Sequence, residues 1–385
     1  MLSAATAVQG RVVVGARTVL RESATLFLFG VMPLFYVALF ATYLAKGNHP
    51  FDFHTFWLAG RDVLHGRSPY PASLPHVAVQ DTFRPFVYPA PAAYAFAPFA
   101  LLPYGVANAL FAVAGAAAII AALWLLDIRD WRCYGAAFAW PAVWSSLING
   151  AISALLVLAC AALWRYRSRP VVAGALVAAL VVFKLYLWPL GLFLLATRRF
   201  RAAAASVAIG VVATIGSWAL LGFAGMGQYP RLLDTLTGLV ADQSYSPYAL
   251  FRAAGASTGA ARLLMLGLGA LLLVAIVVWG RRPNGQRAAF MVAVAASLVL
   301  TPIVWPHYLG LMLVVVALAR PNLHAVWIAP MTLWMAMPAW SDGSPVRIGT
   351  ALAISTAVVG WCVASSLRRT SPPVHRTVPL FGLQR

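Results

Sequence analysis

Three side chains combine a reactive type with a position where an apolar sequence rarely tolerates charge. Asp52, in Pro50-Phe51-Asp52-Phe53-His54, stands just after the first long apolar run. A carboxylate at that boundary could take a proton from a substrate hydroxyl, since a general base needs reach before anything else. An Asp there could equally cap a helix beginning near Phe53. Lys184, in Phe183-Lys184-Leu185-Tyr186, is the one basic side chain inside a long apolar stretch. It is either a functional cation that neutralises a phosphate or a lysine snorkelling to the interface between two helices. His307, in Trp305-Pro306-His307-Tyr308, could hydrogen-bond a phosphate or sugar at a helix end and carry charge there, although an isolated interfacial histidine more often does neither.

The other candidates are less selective. Asp62 and Asp81 are weaker acids for the same task, Asp62 because it can pair with a neighbouring Arg. Arg61, Arg67, Arg84, Arg231, Arg252 and Arg347 could grip phosphate bidentately. Tyr70, Tyr88, Trp57, Trp305 and Trp340 could stack on a sugar or line a lipid groove, but aromatic belts put Trp and Tyr at every membrane interface. The sequence has no nucleotide-type glycine loop, no His/Cys/carboxylate spacing for a metal, no Gly-x-Ser-x-Gly elbow and no Asp-x-Asp pair. Nucleotide-driven chemistry and a cytosolic nucleotide-sugar donor are disfavoured. Cys133, Cys160 and Cys362 lack ligand spacing and read as packing residues.

What must position these residues is a membrane body. Of 385 residues, 62% are apolar and 10% charged, and the mean hydropathy is +0.83, whereas a soluble domain carries roughly a quarter charged residues. The net charge of +19 would suggest nucleic acid in a soluble protein. Here the basic residues sit in short clusters between apolar runs, so they report topology and no nucleic-acid partner is expected.

Apolar runs predict an all-α polytopic protein of about twelve transmembrane helices: Ala24–Ala45, Tyr104–Leu126, Tyr134–Ile148, Ala151–Trp164, Val171–Phe183, Tyr186–Thr197, Ala202–Leu221, Arg262–Gly280, Ala288–Val304, Tyr308–Ala319, Leu323–Trp340 and Thr350–Leu367. Both termini are then cytoplasmic. The division puts 19 Lys/Arg and 3 acids inside against 9 and 6 outside, as basic residues favour the cytoplasm. A ten-span rival fuses Tyr134–Trp164 and Val171–Thr197, but it moves the Arg165 cluster outward and buries Lys184 near mid-membrane. One membrane unit over residues 1–369 is expected, with outer loops at about 46–103 and 222–261 and a disordered cytoplasmic tail at 370–385. The first loop holds Phe53, Phe56, Trp57 and Leu64 at the spacing of an interfacial helix. Its later part, Ala90–Leu102, is apolar but interrupted by Pro91 and Pro98, and is expected to dip into the membrane without crossing. Asp52, Asp62, Asp81, Lys184, Asp234, Asp242, His307 and Asp342 all fall on the outer side.

Taken together these residues resemble glycosyltransferase family 87, the multispanning GT-C enzymes that use polyprenyl-phosphate sugars and include mannosyltransferases of phosphatidylinositol mannoside synthesis. The resemblance runs through Asp52-(x)4-Trp57-x-Ala59-(x)6-Gly66-(x)2-Pro69-Tyr70, Tyr88-Pro89-Ala90-Pro91, Lys184, and Pro302-(x)2-Trp305-Pro306-His307. There are departures: Asn149-Gly150-Ala151 replaces the usual Gly-Gln, Leu185 follows Lys184 where Pro is usual, Thr301 stands for Ser, and Pro306 occupies a commonly polar position.

The resemblance implies a GT-C-like helical bundle with juxtamembrane helices on its outer face. It also implies inverting transfer of a hexose, mannose first, from a polyprenyl-phosphate-linked sugar to a glycan or glycolipid acceptor on the extracytoplasmic face of the plasma membrane. Asp52 would be the base, with Lys184, His307 and Arg61 on the donor phosphate. Trp57, Tyr70, Tyr88, Asn149 and Trp305 would line a substrate or lipid groove open to membrane lipid. No metal and no other cofactor is expected. A secondary transporter or a translocator of lipid-linked sugars would also have about twelve spans, but transporters place ionisable or unwound elements near the midplane and often show inverted repeats. A noncatalytic assembly subunit is a third reading, which predicts that Asp52→Asn leaves function intact.

Overall fold

A computed structural model describes residues 18–45, 50–70, 85–337 and 344–368, all helical or irregular with no strand among them. After α1 (residues 18–45, with a π-helical turn at Phe27–Val31) come α2 (Phe51–Leu64), α3 (Ala90–Ala100) and α4 (Tyr104–Leu125). The middle of the chain forms α5 (Trp131–Phe138), α6 (Pro141–Ile148), α7 (Ser153–Arg165), α8 (Pro170–Phe183), α9 (Pro189–Ala196) and α10 (Phe200–Leu220). There follow α11 (Tyr229–Val240), α12 (Pro247–Ala253), α13 (Thr258–Gly280), α14 (Gln286–Val299), α15 (Met312–Ala319), α16 (Ala325–Ile328) and α17 (Pro345–Arg368). Short 3-10 segments, among them Leu185–Leu187 and Pro306–Leu311, join several of them.

Among the described residues five helices are long and apolar enough to cross a bilayer: the first, over Thr18–Leu39, then α4, α10, α13 and α17. The other expected crossings fall on shorter pieces, the longest being α8 and α14 at 14 residues each. At 1.5 Å per residue that is about 21 Å, short of a hydrocarbon core of about 30 Å. Proline is the cause at most of the interruptions: Pro141, Pro189, Pro306 and Pro330 each open a new helical segment, where the missing N–H costs nothing. The expected crossing at Tyr134–Ile148 is thus two helices, divided at Trp140. The fused helices of the ten-span rival are absent, because the backbone breaks at Asn149–Ala151 and again at Lys184.

Side chains along α10 (Val207, Val211, Val212, Ile215) and α13 (Leu263, Leu266, Leu271, Val274) are apolar yet exposed, the surface that lipid covers. The inner packing is close. An added Cβ at Gly174 in α8 would lie 2.7 Å from the Ala202 carbonyl oxygen of α10, and one at Gly60 in α2 would lie 2.8 Å from that of Phe96 in α3. Small residues let these backbones meet, as helix pairs in membranes require.

The expected interfacial helix is α2. It turns Phe53, Phe56, Ala59 and Gly60 inward while Phe51, Leu58 and Leu64 stay exposed. Phe53 stacks on Phe111 of α4 at 4.8 Å and meets Phe96 and Phe99 edge-on. Pro91 lies in the first turn of α3 and Pro98 inside it, without dividing it. The expected tail at 370–385, with Asp81, Arg84, Trp340 and Asp342, lies outside the described residues.

Candidate active site

Asp52 occupies the first turn of α2, where the helix's N-terminal dipole favours a carboxylate. It is not the cap: Pro50 takes that position and no side chain bonds the free N–H groups there. The backbone N–H of Asp52 instead donates to the carbonyl of Asn149 at 2.9 Å. Asn149 ends α6, with its own amide turned back onto Ser145. Gly150 follows at φ +60°, and a Cβ there would lie 2.5 Å from the Cβ of Phe53. Only glycine permits both that backbone and that approach, so the Asn149-Gly150 turn is a seat for the start of α2.

The second wall comes from two helix breaks. At Lys184 the chain leaves α8 in an extended conformation, and the ammonium donates to the hydroxyl of Tyr308 at 2.7 Å. It also lies 4.4 Å from the ring centre of Tyr88 and 4.5 Å from that of Tyr308, close enough for cation–π attraction to both. Tyr186 stacks on Tyr308 from behind at 4.9 Å. Lys184 is therefore held inside an aromatic box and does not snorkel outward. His307 lies in the turn after α14, buried, with Nε2 3.7 Å from Asp52 Oδ2, just outside hydrogen-bonding range.

Burial raises the Asp52 carboxyl to about 6, the Lys184 ammonium opposing the rise. Burial likewise lowers Lys184 to about 8, with Asp52 opposing. An acid and a base tuned toward neutrality in one half-buried cluster is the arrangement proton transfer uses.

Asp52, Tyr88, Lys184 and His307, expected from sequence, thus meet in one place. Arg61 does not join them. It sits nine residues further along α2, about 13 Å down the helix axis, with its guanidinium 5.0 Å over the Trp57 ring. Trp57 donates from Nε1 to the Leu102 carbonyl, tying α2 to the end of α3. The Tyr70 hydroxyl donates to the Tyr88 carbonyl at 2.7 Å and its ring stacks on Trp218, so it braces the segment that presents Tyr88. Asn149 contributes its carbonyl to Asp52, and Trp305 packs half-buried beside the core. Among the described residues the other outer acids are engaged with arginines: Asp62 with Arg67, Asp234 with Arg262 and Asp242 with Arg252. No set of His, Cys, Asp or Glu among the described residues gathers to hold a metal.

Sequence reasoning missed Tyr308 and Tyr186, although their spacing to His307 and Lys184 was a signal. It also missed the Ser244-Tyr245-Ser246 loop. There Ser244 and Ser246 both donate to the Pro302 carbonyl and the Tyr245 N–H donates to that of Val304, which fixes the strand-like run into His307.

Comparison with known proteins gives one family, glycosyltransferase family 87, matched over residues 86–306. Tyr88, Asn149, Lys184 and Trp305 lie within the match; Asp52 and His307 lie outside it. A polyprenol-phosphate-mannose-dependent alpha-(1-2)-phosphatidylinositol pentamannoside mannosyltransferase of Mycolicibacterium smegmatis is 28% identical over 318 residues, 76% of this chain and 71% of that protein. The protein of the same name from Mycobacterium tuberculosis is 28% identical over 314 residues, 76% of this chain and 68% of that protein. No solved structure matches the chain.

Proposed function

This chain belongs to glycosyltransferase family 87 and is a glycosyltransferase, and from that premise we propose that it moves a hexose, mannose first, from a polyprenyl-phosphate donor to an acceptor hydroxyl with inversion. The acceptor is a glycan or glycolipid, as in the two mannosyltransferases it resembles. The observation that carries this reading is the meeting of Asp52 with Lys184 and His307, brought from three distant segments into one largely buried cluster of an apolar helical body.

In the proposed step the acceptor oxygen bonds to the anomeric carbon as the bond from that carbon to the donor's phosphate oxygen breaks. The electron pair leaves with the phosphate and the acceptor's proton passes to Asp52. The leaving group gains one negative charge. The Lys184 ammonium, pinned by Tyr308 and faced by Tyr88, and the His307 ring stabilise that charge from fixed positions. These groups supply the electrostatic work, and no metal is invoked. The tail of the donor lies against lipid-facing helices while the sugar reaches Asp52. We place the site on the extracytoplasmic face, with both termini cytoplasmic, one membrane unit over residues 1–369 and about twelve crossings, the short helices included.

The test incubates membranes with radiolabelled polyprenyl-phosphate sugars and follows label into an extractable product. Asp52→Asn should cut transfer by about 10²–10⁴-fold, the usual contribution of a general base, with normal expression and insertion. Full activity in that variant overturns the assignment.

A further inference from the structure

The helical run that starts at His307 ends at Arg320, about 20 Å away along its axis. There a notch opens between Arg320 and the last two turns of α17. It is a cavity of about 310 Å³ lined by Arg320, Trp361, Ala364, Ser365 and Arg368, at the lower edge of the range for small-molecule sites. The pattern on α17 makes the hollow. Its four residues stand at i, i+3, i+4 and i+7, one face of a helix, so two small side chains leave a dent between an indole and a guanidinium. Arg320 closes the dent, its Cζ 5.1 Å from the Trp361 ring centre, and His324 stacks on the same indole at 4.8 Å.

Neither guanidinium is held by an acceptor among the described residues. Arg320 Nε is buried without a hydrogen-bond partner. Among the described residues neither Arg320 nor Arg368 pairs with a carboxylate or donates to a carbonyl. Basic side chains near helix C-termini commonly bond the last free carbonyls; these two do not. Asp130, which accepts from the N–H of Leu323 close by, is taken by Arg132 through two bonds. The C-terminal ends of α15 and α17 bring about half a negative charge each, so two fixed guanidiniums leave about one positive charge facing the notch.

We propose that this notch is a phosphate-binding site filled by the headgroup of an anionic phospholipid. The guanidiniums hold the phosphate, and the exposed edge of Trp361 and Ala364 pack against the ester and glycerol carbons. α17, which carries most of the notch, is long and apolar enough to cross a bilayer and leaves Ala353, Ala357 and Trp361 exposed along its length, and this makes a lipid the source of that phosphate. In the topology proposed above this is the cytoplasmic end, but the chemistry of the notch does not depend on the transferase reading.

The experiment takes the full-length protein, delipidated in detergent, and measures binding by native mass spectrometry with dioctanoyl phosphatidylglycerol, dioctanoyl phosphatidylcholine and inorganic phosphate. Thermal unfolding without lipid shows that each variant is folded. Phosphatidylglycerol should bind and phosphatidylcholine should not. Arg368→Gln, at an exposed unbonded side chain, should weaken binding about tenfold or more, the loss of one charge-assisted contact. Ala364→Leu, which keeps every charge and fills the dent, should weaken it as much. Arg281→Gln, at an exposed arginine outside the notch, should change nothing. Equal binding of the two lipids, wild-type binding in both notch variants, or an equal loss in Arg281→Gln overturns the site. Binding of inorganic phosphate without phosphatidylglycerol overturns the lipid as its source.

Discussion

The pH dependence of transfer separates Asp52 as a tuned base from Asp52 as an ordinary surface carboxylate. Buried beside His307 and drawn down only partly by Lys184, its carboxyl stands at about 6. In the proposed reaction ionised Asp52 is the active form, so kcat/KM should follow the ionised fraction of the free enzyme. For a group at about 6 that fraction is about 0.9 at pH 7 and about 0.1 at pH 5, a roughly tenfold fall. An aspartate at its ordinary value of about 3.9 would lose less than about a tenth over the same interval. Lys184, lowered to about 8, sheds its proton above that pH, which would remove the cation proposed to steady the leaving phosphate. The profile should therefore be a bell with its top near neutrality. The proposed donor is a phosphodiester whose own charge does not change in this window, so neither limb would come from substrate. The assay is initial rate against limiting acceptor from pH 4.5 to 9, with label followed into product, for wild type and Asp52→Asn. Lys184→Met should move the acid limb to higher pH, because removing the ammonium takes away what holds the carboxyl down. A wild-type kcat/KM that is flat from pH 5 to 7, or an acid limb that persists in Asp52→Asn, would refute the reasoning.

Gly150→Ala places a Cβ against Phe53 at a backbone of φ +60°; it should cost at least about 1–2 kcal/mol of stability and, by shifting α2, lower kcat about 10²-fold, read by thermal unfolding and single-turnover rates. Wild-type kcat there would mean that the turn does not seat Asp52. Tyr308→Phe keeps the ring but removes the oxygen that accepts from Lys184 at 2.7 Å; the donor KM should rise about tenfold, as the loss of a hydrogen bond to a charged group implies, while the acceptor KM stays put. Lys184→Ala should raise the donor KM more than the acceptor KM, and an effect confined to the acceptor would reverse the proposed role.

How much of this was legible depended on whether a residue acts through its type or through its backbone. Asp52 and Lys184 were legible because a charge in an apolar sequence is conspicuous and costly. The helical interface segment at Phe53–Leu64 was legible from its period alone. What holds Asp52 in place was not, because it is a main-chain bond from a distant turn, and a carbonyl has no sequence signature. Trp57 and Tyr70 have the types expected for sugar or lipid contact, yet their polar atoms reach the Leu102 and Tyr88 carbonyls and serve as struts. Hydropathy also overstated the lengths of the helices. It sums apolar content across Trp140-Pro141 or Leu187-Trp188-Pro189 without registering that the backbone bends there, whereas proline spacing does.

Those interruptions are also what build the site. An unbroken apolar helix satisfies every backbone group internally and offers a ligand nothing but side chains, so a bundle of full-length spans would leave Asp52 without a seat. Here three breaks converge: Asn149-Gly150 after α6, Lys184 after α8, and Pro302–Trp305 after α14. Freed carbonyls at membrane depth are tolerated only where protein or a cavity meets them, and partners come from elsewhere in the chain. Asp52 N–H takes the Asn149 carbonyl, the Ser244 and Ser246 hydroxyls take that of Pro302, and Tyr245 N–H takes that of Val304. Each of these bonds also pins backbone that leads to Asp52 or His307. Shortening the helices and positioning Asp52 are, in this protein, the same structural act.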